Sequence, residues 1–499
     1  MGRAKVTLDR DYTIGEVDDR LYGGFAEHLG RHIYEGIYEP DHPTADEDGF
    51  RRDVIDLVRG LRMSVIRYPG GNFVSGYDWE DGVGPRSARP RRLDLAWRVT
   101  ETNQFGTDEF VRWCTRVGAE PMLAVNLGTR GPDAARDLVE YCNHPAGSAL
   151  SELRRQNGSP APHGVKLWCL GNEMDGPWQM GAKTADEYGR IACEAAKLMK
   201  WVDPSIELVA CGSSGRGMSG FGAWEMTVLD HTFDHVEYLS IHTYLGNPEG
   251  DTAGYLAKPD EMDQFIEEVV ACCDAVAAKR RSRKRIMLSF DEWNVWFHTD
   301  QQIPEPWAVA PAQLQDVYNV EDALCVGGML ISLLNHCDRV KIGCLAQIVN
   351  VIAPIMTQKG GPAWQQTIYH PFAQASCFGR GVALRALVDS DKYDCPVRQG
   401  VDSLRMAAVA DPQTGAPALF CLNRDLTEPL EVEVTLRAFP KLRLLEHSVL
   451  CHEDLKAVNT AEAPQRVAPM AISGATVEEG TLRAALPPAS WNVIRLARE

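Results

Sequence analysis

The sequence predicts a (β/α)₈ barrel followed by a C-terminal antiparallel β-sandwich of jelly-roll type, completed by a strand from the N-terminus. Two patterns predict it. Between about residues 21 and 351, short apolar runs alternate with helical patterns eight times, as parallel strands wrapped by helices do. Beyond about residue 380 the texture becomes short strands parted by turn residues, with a period of two. A doubly wound open sheet competes with the barrel. Its best mark, a glycine-rich phosphate turn after the first strand, is absent. The reading places an N-terminal strand at 1–17, a barrel at 18–380 and a sandwich at 381–499.

Eight runs supply the barrel strands: LYGGFAEH (21–28), SVIRYPGG (64–71), PMLAVNLG (121–128), KLWCLGNE (166–173), ELVACGSS (207–214), EYLSIHTYL (237–245), IMLSFDEW (286–293) and VKIGCLAQIV (340–349). Each is mostly apolar without strict alternation, as strands covered on both faces require. Helices lie between them. Thr184 and Glu187 form a capping-box pair, and Tyr188, Ile191, Ala195, Leu198 and Val202 follow at helical spacing until Pro204. Another helix starts after Thr107 with Asp108 and Glu109 in its first turn, where negative charge suits the dipole. Its apolar face is Phe110, Cys114 and Val117. In the C-terminal part, Leu430, Val432, Val434 and Leu436 alternate with Glu431, Glu433 and Thr435, which marks a half-exposed strand. The N-terminal KVTLDRDYTI (5–14) is also strand-like and is expected to pair with that sheet.

The 499 residues are 44% hydrophobic and 24% charged, ordinary for a chain that buries a large core. A net charge of −18 without a basic patch tells against nucleic acid or an anionic membrane surface as the partner. No apolar run reaches the roughly 18–20 residues of a membrane span, and no apolar stretch of a secretion signal opens the chain. The 14 cysteines are scattered without C-x-x-C spacing, many in apolar segments such as those of Cys169, Cys193, Cys325 and Cys344. Reduced thiols in a cytoplasmic protein are the expectation.

Catalytic side chains of such barrels stand at the C-terminal ends of the strands. Here those ends carry Glu27 and His28, Arg67 and Asn72, Asn172 and Glu173, His242 and Tyr244, Asp291 and Glu292, and Gln347 and Asn350. Trp97, Trp178 and Trp296 fall in neighbouring loops. Indole faces pack against sugar rings, while amides and carboxylates bond sugar hydroxyls. Two glutamates from different strands are what glycoside hydrolysis uses: one protonates the leaving oxygen, the other attacks the anomeric carbon or activates water. A single strand-end glutamate is as readily a solvent-facing charge. Two apolar strands that each end on a glutamate among amides and aromatics are harder to explain that way. His242 reads as a hydrogen-bonded scaffold residue, Asp291 as support for its neighbour, and Asp175 and Trp178 as loop-shaping residues. A carboxylate–histidine metal site is the rival reading, but no H-E-x-x-H pairing exists. The glycine-rich GSSGRGMSG (212–220) lacks the Lys-Ser/Thr ending of a phosphate loop. No metal or organic cofactor is implied.

GNE at 171–173 and DEWNVW at 291–296 resemble the acid/base and nucleophile motifs of the family 51 glycoside hydrolases, the α-L-arabinofuranosidases. RYPGGNFVSGYDWEDGVGP (67–85), NQFGTDEF (103–110), SIHTYLGN (240–247), CLAQIVNVIAPI (344–355) and PPASWNVIRL (487–496) extend the likeness over essentially the whole chain. The resemblance implies that Glu173 is the acid/base and Glu292 the nucleophile. It puts Asn172 on the sugar's 2-hydroxyl and Glu27, Asn72 and Gln347 on the furanose hydroxyls. Arg67 and Tyr244 would orient Glu292, and Trp97 would wall the pocket. It further implies retaining, exo-acting release of terminal arabinofuranose from arabino-oligosaccharides or arabinoxylan fragments, by a homo-oligomer that is often a hexamer. A related barrel glycosidase (β-xylosidase or endoglucanase) and a non-catalytic carbohydrate-binding protein are the alternatives. The loops at 247–260 and 298–310 align least well and are expected to border the leaving group.

Overall fold

The computed structural model of the protein describes residues 2–297 and 305–499. Eight parallel strands close a barrel in chain order: β1 (Gly23–Phe25), β2 (Val65–Tyr68), β3 (Glu120–Ala124), β4 (Leu167–Leu170), β5 (Glu207–Cys211), β6 (Tyr238–Leu245), β7 (Met287–Val295) and β8 (Val340–Ala346). Each coincides with one of the runs marked in the sequence. The shortest is β1, yet the backbone continues its register: Ala26 N–H donates to the Arg67 carbonyl at 2.9 Å, and His28 N–H to that of Pro69 at 3.1 Å. Phe25, Val65, Met122, Leu167, Val209 and Ile342 fill the lumen. The barrel is therefore a packed plug, and its polar groups collect above it.

The helix Ala185–Val202 begins on the expected capping box. The Thr184 side chain accepts from the Glu187 N–H, and the Glu187 carboxylate accepts from the Thr184 N–H at 2.9 Å. In the helix Thr107–Val117, Asp108 and Glu109 stand in the first turn as expected, and both are buried. Glu109 accepts from the Gly106 N–H at 3.0 Å and from Arg89 at 3.0 Å. Asp108 accepts from the Tyr141 hydroxyl at 2.8 Å and meets His163 at 2.7 Å. The sequence displays these charges but not their distant partners, and only the partners make their burial tolerable.

The C-terminal part is a sandwich of a seven-stranded and a five-stranded sheet. In the five-stranded outer sheet, Leu430–Thr435 alternates between core and solvent as expected. The inner sheet is buried on both faces. In its strand Leu404–Ala410, Ala407 and Val409 join the barrel-side core, whereas Leu404, Met406 and Ala408 face the outer sheet. The N-terminal segment serves both sheets. Gly2–Thr7 runs parallel to Leu430–Thr435 in the outer one, and Thr13–Glu16 pairs with Val382–Leu384 in the inner one. The helix Val320–Asn335 lies between barrel and inner sheet with every residue from 320 to 334 buried, so beyond Glu321 and Asp322 in its first turn its sequence is almost wholly apolar. Gly327 permits this contact, since a Cβ there would stand 2.6 Å from the Trp491 ring. All 14 cysteines are free thiols, and no described helix is long and apolar enough to cross a membrane.

One ion-pair cluster pins the two parts together. Arg405, from the inner sheet, donates to Asp260 at 2.6 Å and to Asp263 at 2.8 Å, both in the barrel-side helix Pro259–Lys279. Arg424 adds a bond to Asp260 at 2.9 Å. Burial alone would raise the Asp263 pKa, but Arg405 and His336 outweigh it and hold the carboxyl well below its usual range. Arg405→Met should therefore cost about 3 kcal/mol, because it leaves a buried charge without its main partner. Since folding lowers the Asp263 pKa, that contribution is complete above about pH 4 and is lost as acid protonates the group. Thermal unfolding of both proteins at neutral and acidic pH checks this. An unchanged midpoint at neutral pH would show that the cluster contributes nothing.

Candidate active site

The strand ends converge on a cavity of about 620 Å³ at the C-terminal mouth of the barrel. Glu27, Asn72, Trp97, Asn172, Glu173, Tyr244, Glu292 and Gln347 all line it. Arg67 lies beneath, fully buried. The segment 298–304, part of one loop expected to border the leaving group, lies outside the described residues. Of the other loop, 247–260, no residue lines the cavity.

Glu173 leaves the end of β4 through a tight turn. Gly171 has φ +89°, and Glu173 itself has φ +43°. A non-glycine residue holds that left-handed conformation only where its surroundings compel it. Both carboxylate oxygens are engaged: Oε1 lies 2.9 Å from His242 Nδ1, and Oε2 accepts from Trp178 Nε1 at 2.7 Å. Trp178 is thus more than a loop-shaping residue. Glu292 projects from β7 against different donors. Its Oε1 accepts from Arg67 at 2.7 Å and its Oε2 from the Tyr244 hydroxyl at 2.7 Å. The second Arg67 amino group donates to Asn172 Oδ1 at 2.6 Å, so one planar guanidinium aligns residues from β4 and β7. A Cβ on Gly71 would sit 3.1 Å from Glu292 Oε1, which accounts for glycine at that place in the PGG turn.

His242 joins the two carboxylates. Its Nδ1 lies 2.9 Å from Glu173 and 3.7 Å from Glu292 Oε2, and its Nε2 lies 3.1 Å from Asp291. Burial opposes a charge on this ring, but Glu292, Asp291 and Glu173 together outweigh it and lift its pKa to about 10. His242 is accordingly an imidazolium at neutral pH, donating from both nitrogens. Asp291 would also be raised by burial, but Arg67, His242 and the Ser240 hydroxyl hold it low. This buried aspartate keeps both cations in place, matching its reading as a support.

Glu27 sits deeper. It accepts from the Phe73 N–H, from Trp97 Nε1 and from Gln347 Nε2, each at 3.0 Å. Burial, reinforced by the Glu292 charge, still pushes its pKa up to about 8 against those donors. Asn172 Nδ2 and Gln347 Oε1 are buried without protein partners, so both line the cavity with hydrogen-bonding capacity to spare. The sequence did not single out Phe25, Leu29, Ala96, Arg98, Ser214, Gln313, Leu314 or Ile352, which complete the wall. They lie in loops or apolar stretches whose sequence carries no chemical signal.

Glu173, His242 and Glu292 each offer a ligand atom, all within 4.8 Å of one another. The carboxylate oxygens of this group already accept from fixed donors: Trp178 Nε1 on Glu173, and Arg67 and the Tyr244 hydroxyl on Glu292.

Two carboxylates that approach each other from β4 and β7, each steadied by fixed donors over a polar pocket, are the working parts of a barrel glycoside hydrolase. Comparison with known proteins narrows the class. Residues 57–264 match the family model described as α-L-arabinofuranosidase 1 domain, and 291–490 match the α-L-arabinofuranosidase C-terminal domain. The chain is 58% identical to an intracellular exo-α-(1→5)-L-arabinofuranosidase of Halalkalibacterium halodurans, over 99% of each chain. It is 47% identical to an exo-α-(1→6)-L-arabinofuranosidase of Bifidobacterium longum, over 99% of this chain and 97% of that one. A family 51 α-L-arabinofuranosidase structure from Bifidobacterium longum superposes with a TM-score of 0.96 at 43% identity, covering all of both chains. The chain belongs to the family 51 α-L-arabinofuranosidases.

Proposed function

We propose that the chain is a retaining, exo-acting α-L-arabinofuranosidase that releases terminal non-reducing arabinofuranosyl residues from arabino-oligosaccharides and arabinoxylan fragments. The approach of Glu173 and Glu292 carries this reading. Their nearest oxygens lie within 4.8 Å. An inverting pair stands about 6.5–9.5 Å apart to lodge a water, whereas a retaining pair stands about 5–5.5 Å apart. Glu292 attacks the anomeric carbon as the glycosidic C–O bond breaks, and the Glu173 proton goes to the leaving oxygen. Water then gives its proton to ionised Glu173 and displaces Glu292, restoring the original configuration. Arg67 and Tyr244 hold Glu292 on its line of attack. Asn172, with its spare amide donor, holds the 2-hydroxyl, and Glu27, Asn72 and Gln347 hold the remaining furanose hydroxyls. Trp97 walls the pocket.

Exo action is supported by the Trp97–Glu27 bond, which draws the loop carrying Trp97 down onto the pocket floor. An endoglucanase needs an open cleft there. The linkage cleaved, (1→5) by the stronger likeness, is set by comparing (1→2)-, (1→3)-, (1→5)- and (1→6)-linked disaccharides. A cytoplasmic setting accords with the intracellular relative. Assembly as a homo-oligomer, a hexamer by family likeness, is read directly from the mass in solution.

The stereochemistry tests the mechanism. Proton NMR during early hydrolysis should show α-arabinofuranose first, before mutarotation supplies the β-anomer. Initial release of the β-anomer would rule out double displacement. Turnover of aryl xylosides or glucosides in preference to the arabinofuranoside would rule out the substrate.

A further inference from the structure

Depth sorts the residues around the cavity. Glu27, Asn172, Glu292, Gln313 and Gln347 are buried at its floor and walls. Among the described lining residues, only Trp178 and Arg98 are exposed, so these two form its outer rim. Trp178 is fixed by its bond to Glu173. Arg98 is fixed through its backbone. It belongs to the hairpin loop between Arg92–Asp94 and Val99–Glu101 and has φ +54°, which a side-chain-bearing residue adopts only where neighbours impose it. The loop backbone at Trp97 and Arg98 is held at three points. The Arg98 carbonyl accepts from the Trp307 N–H at 2.7 Å, Gln313 donates to the Trp97 carbonyl at 3.3 Å, and Asp94 accepts from the Trp97 N–H at 3.2 Å. The guanidinium itself is not spent on the fold. Among the described residues, no carboxylate or carbonyl accepts from it, although acidic residues outnumber basic ones by 69 to 51.

Resting on the arabinofuranosidase reading, we infer that Arg98 is a specificity residue that binds the sugar on the leaving-group side, one unit beyond the bond cleaved. The terminal sugar must occupy the floor, because its reacting carbon lies between Glu173 and Glu292. The next unit lies outward, towards the rim that Trp178 and Arg98 form. A guanidinium offers five N–H donors and no acceptor, which suits the ring and hydroxyl oxygens of a neutral sugar. A plain phenyl leaving group can lie on the indole but presents no such oxygens. Arg98 should therefore distinguish a glycosyl from an aryl leaving group without touching the reacting atoms.

The test compares the wild type with Arg98→Ala and Arg98→Lys on two substrates: phenyl α-L-arabinofuranoside and the arabinobiose linkage that the wild type cleaves fastest. For Arg98→Ala, kcat/KM on the disaccharide should fall about 10-fold, as expected for lost hydrogen bonds from a charged donor, while the phenyl glycoside is unaffected. Arg98→Lys should recover part of the loss. A purely structural role would lower both substrates together and overturn the inference, as would no change on either. Loss confined to oligosaccharides bearing a uronic acid would also overturn it, by assigning the guanidinium to a carboxylate. A wild type inert towards the phenyl arabinofuranoside would sink the parent reading, and this inference with it. A normal wild type with an unchanged ratio in Arg98→Ala sinks the inference alone.

Discussion

Glu292→Ala is expected to lose roughly 10⁴- to 10⁶-fold in kcat, even on substrates with excellent leaving groups, the range seen when a catalytic nucleophile is removed. On the proposed mechanism the glycosyl-enzyme cannot form without this carboxylate, and its neighbour in the chain is not placed to replace it. Asp291, its neighbour in the chain, is engaged by Arg67, His242 and Ser240 beneath the site. The truncation also frees the Arg67 amino group and the Tyr244 hydroxyl, the donors that now hold Glu292. Those donors, and the space vacated by the side chain, suit a small anion. Added azide should therefore restore turnover and yield the glycosyl azide of inverted configuration, identified by NMR of the product. Near-normal hydrolysis by the alanine variant, without azide, would remove Glu292 from the mechanism. Since Arg67 keeps its contact with Asp291, the variant should still fold, which its circular dichroism checks.

Both glutamates were legible in the sequence for a physical reason. A barrel strand is apolar because both its faces are buried, so a charge at its C-terminal end stands out, and in this architecture that end is the mouth. The same logic exposed Glu27, Arg67, Asn172, Tyr244 and Gln347. The eight strands were legible from their apolar runs, and the outer sheet of the sandwich from its period of two. The inner sheet was recognisable only as strand, since Ala407 and Val409 are as buried as Met406 and Ala408 on its opposite face.

What stayed hidden depends on three-dimensional partners. His242 read as a scaffold residue, because nothing in SIHTYL tells that its ring meets Glu173, Asp291 and Glu292 at once. Its positive charge at neutral pH is a property of that company. The burial of Asp108 and Glu109, which the sequence places in the first turn of a helix, and the guanidinium of Arg98, unpaired among the described residues, could not be read from it either. In each case the residue type was visible while the burial, or the absence of a partner, was not.

Glu173→Ala should separate substrates by their leaving groups. Protonation of the leaving oxygen matters only when that oxygen is a poor leaving group, so arabino-oligosaccharides should lose about 10²- to 10⁴-fold in kcat/KM. A dinitrophenyl arabinofuranoside departs without help, and its first step should proceed nearly as in the wild type. The second step of the proposed mechanism still needs a base to activate water, and the variant has lost the carboxylate that would supply it. The glycosyl-enzyme should accumulate, seen as a burst of dinitrophenol followed by slow turnover. Alanine is the cleaner choice here. A glutamine would turn an N–H donor towards the His242 Nδ1–H, or towards Trp178, and disturb the site for reasons unrelated to proton transfer. In the alanine variant Trp178 loses its acceptor, so aryl binding is followed separately through KM. An equal loss of kcat/KM on the oligosaccharide and the dinitrophenyl glycoside, with no burst, would count against Glu173 as the acid/base. The wide split between the two substrates follows from the proposed role, in which Glu173 reaches the reaction only through the proton it gives and takes back.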